Sequence, residues 1–457
     1  MIRRIFTFML AAICILSQLT GCTTTDRPSS ENPVTLTIWH VYGSQTKSPF
    51  NTVIDEFNNT VGKENGITVN VVSVTSSSAI DKALAASVNG EPGAEELPDL
   101  FTAYPRVAQI VGTDRLLDWN QYFSEEGLSA FKQEFLQEGY FDSQLLMLPI
   151  AKSTEALYLN KTLFADFSAQ TGVSMEQLQS YEGLFDVANI YFDWSGGKHF
   201  VQLNDFYHYA LLGTKAYGGE FIRDGKLQLD DPAFETVWKL LAQTAIYGGI
   251  CLDDGYAATR WKTVEIISNI GSTADILYQP DQVIYPDNTT QAVEIISIPY
   301  PLFSEDAASA VHRGGGLFAI RSSNERKNYA AAVFAKWLTE QHNNLRFVTE
   351  AGYLPVTDAA FDRLLTDPEL VQKENYRQLY ETASVMVQEY SLCAIPVFDG
   401  ASVVQSHFEE SVKLVLKTAH NQYIARVRSG EDPETVLNEL TNTSYDALKQ
   451  ALYAAEG

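Results

Sequence analysis

The sequence predicts an α/β protein built on an open, mostly parallel sheet, and three observations predict it. Segments patterned as strand and as helix alternate from Val34 to Ala103. The 457 residues are 45% hydrophobic and 19% charged, the balance of an ordinary folded chain, and the length allows about three domains or two large lobes. Beyond one short apolar run near the start, no stretch is long and apolar enough to span a bilayer.

The apolar run comes first. Arg3 and Arg4 precede Ile5 to Leu19 (IFTFMLAAICILSQL), 15 residues that are short for a spanning helix but right for the hydrophobic region of an export signal. It leads into Leu19-Thr20-Gly21-Cys22, which resembles the lipobox of bacterial lipoproteins. A signal peptide is therefore expected over residues 1–21, with cleavage before Cys22 and a diacylglycerol on its sulfur. Polar residues 22–33 then read as a flexible tether. Cys14 leaves with the signal. Cys251 and Cys393 remain, and spacing alone does not say whether they pair.

The ordered region begins with Val34 to Trp39, where apolar residues alternate with threonine as in a strand. Ser48-Pro49 opens a helix, serine as N-cap and proline in the first turn, and Phe50, Val53, Ile54 and Phe57 share one of its faces. Ile67 to Val74 reads as a second strand. Ser78 and Asp81, spaced like a capping box, start a second helix. Leu97 to Ala103 supplies a third strand. Between about residues 155 and 300 the chain reads as helical stretches rich in Tyr, Phe and Trp, ending in a returning strand at Val293 to Ile298. The triplet Gly314-Gly315-Gly316 precedes a further strand, Leu317 to Ile320. Asn328 to Glu340 is a helix, and helices dominate from there on.

Charge and missing motifs narrow the function. A net charge of -25 supplies no positive footprint for nucleic acid or anionic lipid, and it favours a monomer. His40, His199, His208, His312, His342, His407 and His420 are scattered. With no HExxH and no paired-cysteine spacing, neither a metal nor another cofactor is expected. Nucleophile-elbow, P-loop and dinucleotide fingerprints are absent, and adjacent Asp253 and Asp254 read as a solvated turn. Carboxylates are abundant, so a glycosidase pair stays open.

Five patterns occur in order: Ile38-Trp39-His40 with the helix closing Asp55-Glu56-Phe57-Asn58; Leu97-Pro98-Asp99-Leu100; Leu148-Pro149 with Leu157 to Phe164; the glycine triplet; and Ala351 to Thr357 (AGYLPVT). The set resembles the extracellular solute-binding proteins of ABC importers, family 1, the group that takes up sugars and glycerol phosphates. The resemblance implies a type II periplasmic-binding-protein-like fold of two hinge-joined lobes, each a mostly parallel sheet flanked by helices. The N-terminal lobe would take residues 34–150 and 300–350, and the C-terminal lobe residues 151–299 and 351–457. Crossings would lie at Pro149, within residues 300–313, and near Gly352. Ligand is held in the cleft, the lobes close on it, and a membrane permease reads the closed form; no catalysis is implied.

Matched residue by residue, the resemblance places Trp39, His40 and Tyr104 at strand ends facing the cleft, and Ser78 and Asp81 at a helix start. Ser153 and Thr154 follow the first crossing. Gly271 and Ser272 form a small-residue turn, Gly314 and Gly315 admit a close backbone approach, and Tyr353 offers a ring and a hydroxyl. Trp194 is a candidate platform beside Ser195-Gly196-Gly197, although it and Trp39 read equally as packing residues. Where the glycerol-phosphate branch carries an arginine, this chain has Ala394 to Gly400 (AIPVFDG) with no basic residue. Phe398 and Asp399 suit a neutral polyol instead. The expected function is thus capture of a carbohydrate, an oligosaccharide or polyol, by a lipid-anchored protein on the extracytoplasmic face of the cell membrane. Glycerol 3-phosphate or a glycerophosphodiester is the alternative within the class. A secreted glycan-acting enzyme and a surface adhesin are the alternatives outside it.

Overall fold

The computed structural model describes residues 27–42, 48–73, 76–304, 306–398 and 400–453. The expected signal, Cys22 and Asp399 lie outside the described residues, as does the side chain of Ser78. The strands of the two large sheets are, in chain order, β1 (Val34–His40), β2 (Ile67–Ser73), β3 (Leu100–Ala103), β4 (Leu148–Pro149), β5 (Ser153–Asn160), β6 (Val201–Leu203), β7 (Ser268–Ser272), β8 (Ile295–Ile298), β9 (Ser309–Arg313), β10 (Gly316–Ala319) and β11 (Ser391–Cys393). The main helices are α1 (Pro49–Asn59), α2 (Ser77–Asn89), α3 (Tyr181–Trp194), α4 (Phe206–Ala216), α5 (Pro232–Tyr247), α6 (Glu325–Thr339), α7 (Gln341–Ala351), α8 (Glu374–Glu389), α9 (Ala401–Arg428) and α10 (Pro433–Tyr453).

The first sheet has the order β2-β1-β3-β10-β4. β1 lies parallel to β2, Val34 opposite Ile67, and parallel to β3, Ile38 opposite Leu100. β10 is antiparallel to both its neighbours. The second sheet has the order β11-β9-β5-β7-β6, with β8 also on β5. β5 runs antiparallel to β7, β8 and β9, while β7–β6 and β9–β11 are parallel. Both sheets are therefore mixed, a correction to the expectation of mostly parallel sheets. The reason is topological. β5 and β10 enter their sheets from the other lobe, so no strand–helix–strand crossover within one sheet sets their direction.

Side-chain alternation along β1 builds two cores. Leu36 and Ile38 face α1, α6 and α7 with Phe50, Phe57, Phe334 and Phe347, while Trp39 points the other way onto Ile80, Leu84 and Phe101. Ser48 caps α1 by accepting from Asn51 N at 3.2 Å, with Pro49 in the first turn. The capping box expected from Ser78 is displaced, because Ser76 is the N-cap of α2 and accepts from Ala79 N. In the second lobe, Leu157 and Leu159 pack into a core with Tyr181, Trp238 and Phe408. Tyr158 faces the opposite side with Trp261, Tyr376 and Tyr380. β5 (STEALYLN) is buried at every position. It carries no alternation, which is why its pattern reads as the start of a helical region rather than a central strand.

The chain passes between the sheets three times. It crosses between Pro149 and Ser153, then between Arg313 and Gly316, and last beyond α7, where Val356 still belongs to the first core and Phe361 to the second lobe's. β9 pairs in the second sheet, so the return to the first sheet falls at Gly314 rather than at residue 300.

Candidate ligand-binding cleft

One lysine ties the three crossings together. Lys152 and Leu354 exchange main-chain hydrogen bonds of 3.0 and 2.5 Å. Lys152 Nζ donates to the Gly314 carbonyl at 2.9 Å and pairs with the Glu138 carboxylate. His312 Nδ1 lies 3.2 Å from the other oxygen of Glu138. The glycines make this closeness possible. Gly314 has φ of 105°, and a Cβ on Gly315 would sit 2.1 Å from the Ala103 carbonyl oxygen.

Beside this knot lie two adjoining cavities, of about 230 and about 210 Å³, that share Tyr104, Arg313 and Gly314. The first lies against Tyr207, His208 and Gln405 and is bordered by Ile395, Pro396 and Val397. The second lies between Tyr42, Thr102 and Tyr353 of the first lobe and Ser153, Ser272 and Asp275 of the second. Together they form a cleft between the lobes.

Arg313, the last residue of β9, stands at the centre. Its Nη1 donates to Glu155 Oε1 at 2.8 Å, and His208 Nδ1 lies 2.9 Å from the same oxygen. Burial alone would raise the Glu155 carboxyl, but the His208 and Arg313 charges beside it outweigh that and hold it below the usual carboxylate range. Burial likewise works against the Arg313 guanidinium, yet Glu155, with help from Tyr104 and Asp205, keeps it firmly charged. Asp205 caps α4 by accepting from His208 N at 2.8 Å. Glu409, on α9, is pushed well up by burial and by Asp205. Asp275 faces the second cavity and accepts from Asn204 at 3.1 Å. Burial lifts its carboxyl to about 6 against the pull of Arg313.

The remaining polar surface is hydroxyl. The phenols of Tyr42, Tyr104 and Tyr353 make no hydrogen bond among the described residues. Burial raises those of Tyr42 and Tyr353, so they stand as protonated donors. Tyr278, half-exposed, sits at the rim. One donor atom each from Glu155, Asp205 and His208 falls within 4.8 Å of the others, a spacing that suits a cation. Arg313 already occupies the Glu155 oxygen, so the group reads as a charge network.

The sequence-derived site residues divide cleanly. Tyr104, Ser153, Ser272, Gly314, Gly315 and Tyr353 line the cleft. Trp39 and His40 do not. Trp39 is a core residue, and His40 is 2% exposed with Nε2 2.7 Å from Asn51 Oδ1 and Nδ1 accepting from Tyr42 N. Their strand ends at the cleft, but the pleat sends the two side chains to opposite faces of the sheet, and both faces are covered. Thr154 is likewise buried, donating to the Val311 carbonyl at 2.9 Å. Asp81 serves the cleft indirectly through its ion pair with Arg106, at 2.7 Å. Gly271 lies beneath Asp275, where a Cβ would meet that carboxylate at 2.3 Å. Trp194 ends α3 on Phe167 and Tyr191 and donates to Gln170, outside the cleft. Phe398 packs on Gly225. Sequence reasoning missed Arg313, Glu155, Asp275, Tyr42 and His208. Arg313 adjoins the glycine triplet, the one local signal that pointed toward it. Cys251 and Cys393 are both free thiols.

Comparison with protein families matches residues 52–377 to the bacterial extracellular solute-binding protein family. The chain belongs to this family. Comparison with curated proteins finds no match. Among solved structures, this solute-binding protein is similar to UgpB from Mycobacterium tuberculosis in complex with glycerophosphocholine (TM-score 0.67, 16% identity, 91% of this chain and 99% of that one). It is also similar to maltose-bound T. maritima MalE3 (0.64, 16%, 90% and 98%). A third likeness is to the cyclic alpha-maltosyl-1,6-maltose binding protein from Arthrobacter globiformis (0.62, 18%, 92% and 98%). At these identities the likeness shows the fold, two lobes around a cleft. Among the described residues, no helix is long and apolar enough to cross a membrane.

Proposed function

We propose that this solute-binding protein captures a neutral carbohydrate, an oligosaccharide or polyol, in the inter-lobe cleft and delivers it, without chemical change, to an ABC permease. The observation that carries the reading is the cleft's polar inventory. Free tyrosine hydroxyls and the Asp275 carboxylate face the cavity, while the central Arg313 is spent on Glu155. Hydroxyl-rich solutes both donate and accept hydrogen bonds, and this surface offers both while its central cation is already matched by a carboxylate. The knot at Lys152 supports a hinge, because the crossings meet in a short buried segment about which the lobes can rotate. The lobes then comprise the first sheet with residues to about Val356, less the excursion from Ser153 to Arg313, and the second sheet with the remainder.

The export signal and Leu19-Thr20-Gly21-Cys22 support a lipid anchor at Cys22 and an extracytoplasmic location, and the family match is in keeping with export. Acylation with more than one chain gives stable membrane attachment. UgpB shares the fold and was solved in complex with glycerophosphocholine, but here the arginine that would meet a phosphate already holds a carboxylate.

The test is a thermal-shift screen of the purified domain against maltose, maltotriose, other neutral oligosaccharides, polyols and glycerophosphocholine, with product analysis of every hit. A neutral sugar that raises the melting temperature and is recovered intact supports the proposal. Preferential stabilisation by glycerophosphocholine, or hydrolysis of the sugar, contradicts it.

A further inference from the structure

We infer that Glu155 is a specificity-determining residue: by holding the Arg313 guanidinium, it bars anionic solutes from the cleft and reserves it for uncharged, polyhydroxylated ones. The inference deepens the carbohydrate reading above and rests on it.

An arginine standing between two cavities is the natural partner of a phosphate or carboxylate, to which it can offer two parallel donors. Here its charge is already matched, although donors remain. Glu155 is 1% exposed and takes Nη1 of Arg313 at 2.8 Å. The other cations around the cleft are engaged in the same way. Arg106 is held by Asp81 at 2.7 and 3.1 Å, and Lys152 by Glu138. Two further acids add to these. Asp205 shares His208 with Glu155, its carboxylate 3.4 Å from His208 Nδ1, and Asp275 takes only amide donors. Acids thus exceed cations at the centre of the site.

An incoming anion would shed its water beside carboxylates that repel it, with no unmatched cation among the described residues of the cleft in return. A neutral hydroxyl meets a different surface. It can accept from the Arg313 donors that Glu155 leaves over and donate to Asp275 without adding charge. Discrimination here comes from a built-in repulsive element as much as from attraction. It separates two solute classes that relatives of this fold bind, sugars and phosphodiesters, with one carboxylate.

Glu155→Gln tests this directly. The amide oxygen still accepts from Arg313, so packing is kept while the negative charge is lost. Calorimetric titration with inorganic phosphate and with glucuronate is expected to show a gain of at least about tenfold in affinity over wild type. Adding Arg313→Gln to that variant is expected to abolish the gain. A folded Glu155→Gln protein that binds both anions no better than wild type overturns the inference. Should that variant lose its cooperative thermal transition, Asp275→Asn at a half-buried position carries the test, with a gain of about threefold expected; no gain overturns the inference. The underlying reading is judged separately. If wild type binds no neutral sugar, the carbohydrate assignment fails, while anion binding acquired on loss of Glu155 still supports the masking of Arg313.

Discussion

Replacing Lys152 with methionine removes the charge that joins all three crossings. The Lys152 side chain has no exposed surface and that of Glu138 is 14% exposed, so the pair sits in a poorly solvated setting. Methionine fills the same volume, which leaves the lost pairing as the main effect. Breaking a buried ion pair on one side costs about 3–5 kcal/mol, because the remaining carboxylate keeps its desolvation penalty without its partner. The second change, Glu138→Leu, removes that stranded charge. The double variant is expected to recover most of the loss, to within about 1 kcal/mol of wild type. Urea unfolding followed by tryptophan fluorescence measures all three differences. A single-variant cost below about 1 kcal/mol, the worth of an exposed pair, refutes the argument that this contact pins the hinge. So does a double variant no more stable than the single one.

Two other substitutions separate core from cleft. Trp39→Ala should cost about 3–5 kcal/mol of stability, and the protein that remains folded should bind sugar normally, since Trp39 packs on Ile80 and Phe101. Tyr353→Phe should leave the melting temperature nearly unchanged and weaken neutral-sugar binding by about 1 kcal/mol, through loss of one cavity hydroxyl. The pH dependence of stability follows from Asp275, whose carboxyl rises from 3.8 to about 6 on folding. Its stabilising contribution is complete below pH 3.8 and is lost as pH rises through about 6, because the folded chain holds the proton more tightly. Asp275→Asn should remove that slope from the melting temperature measured across the same window, and an unchanged profile would contradict the assignment.

Much of the first lobe was legible because its physics is local. β1 alternates, Ser48 and Pro49 start α1, and parallel strands follow from the strand–helix–strand order. The second sheet was not, because β5 is covered on both faces and a strand so buried has no period to read. The cleft was legible only where a side chain sits at a chain crossing, as Ser153, Gly314, Gly315 and Tyr353 do. Trp39 and His40 showed the limit of arguing from strand ends. The strand stops at the cleft, yet pleat and packing draw both rings into the interior. Arg313 and Glu155 are 158 positions apart and meet only because β9 lies antiparallel to β5, a pairing no local pattern announces. Asp275 and Tyr42 likewise take their roles from the cavity between the lobes.

The central claim is that an uncharged, hydroxyl-rich solute is held between the lobes around Arg313. A crystal structure with a neutral oligosaccharide identified by the thermal-shift screen tests it most directly. The account predicts sugar hydroxyls within hydrogen-bonding distance of Asp275, Tyr353 and the free donors of Arg313, with the Arg313–Glu155 pair intact. Sugar found away from this cleft, or an Arg313 that has left Glu155 for the ligand, would contradict it.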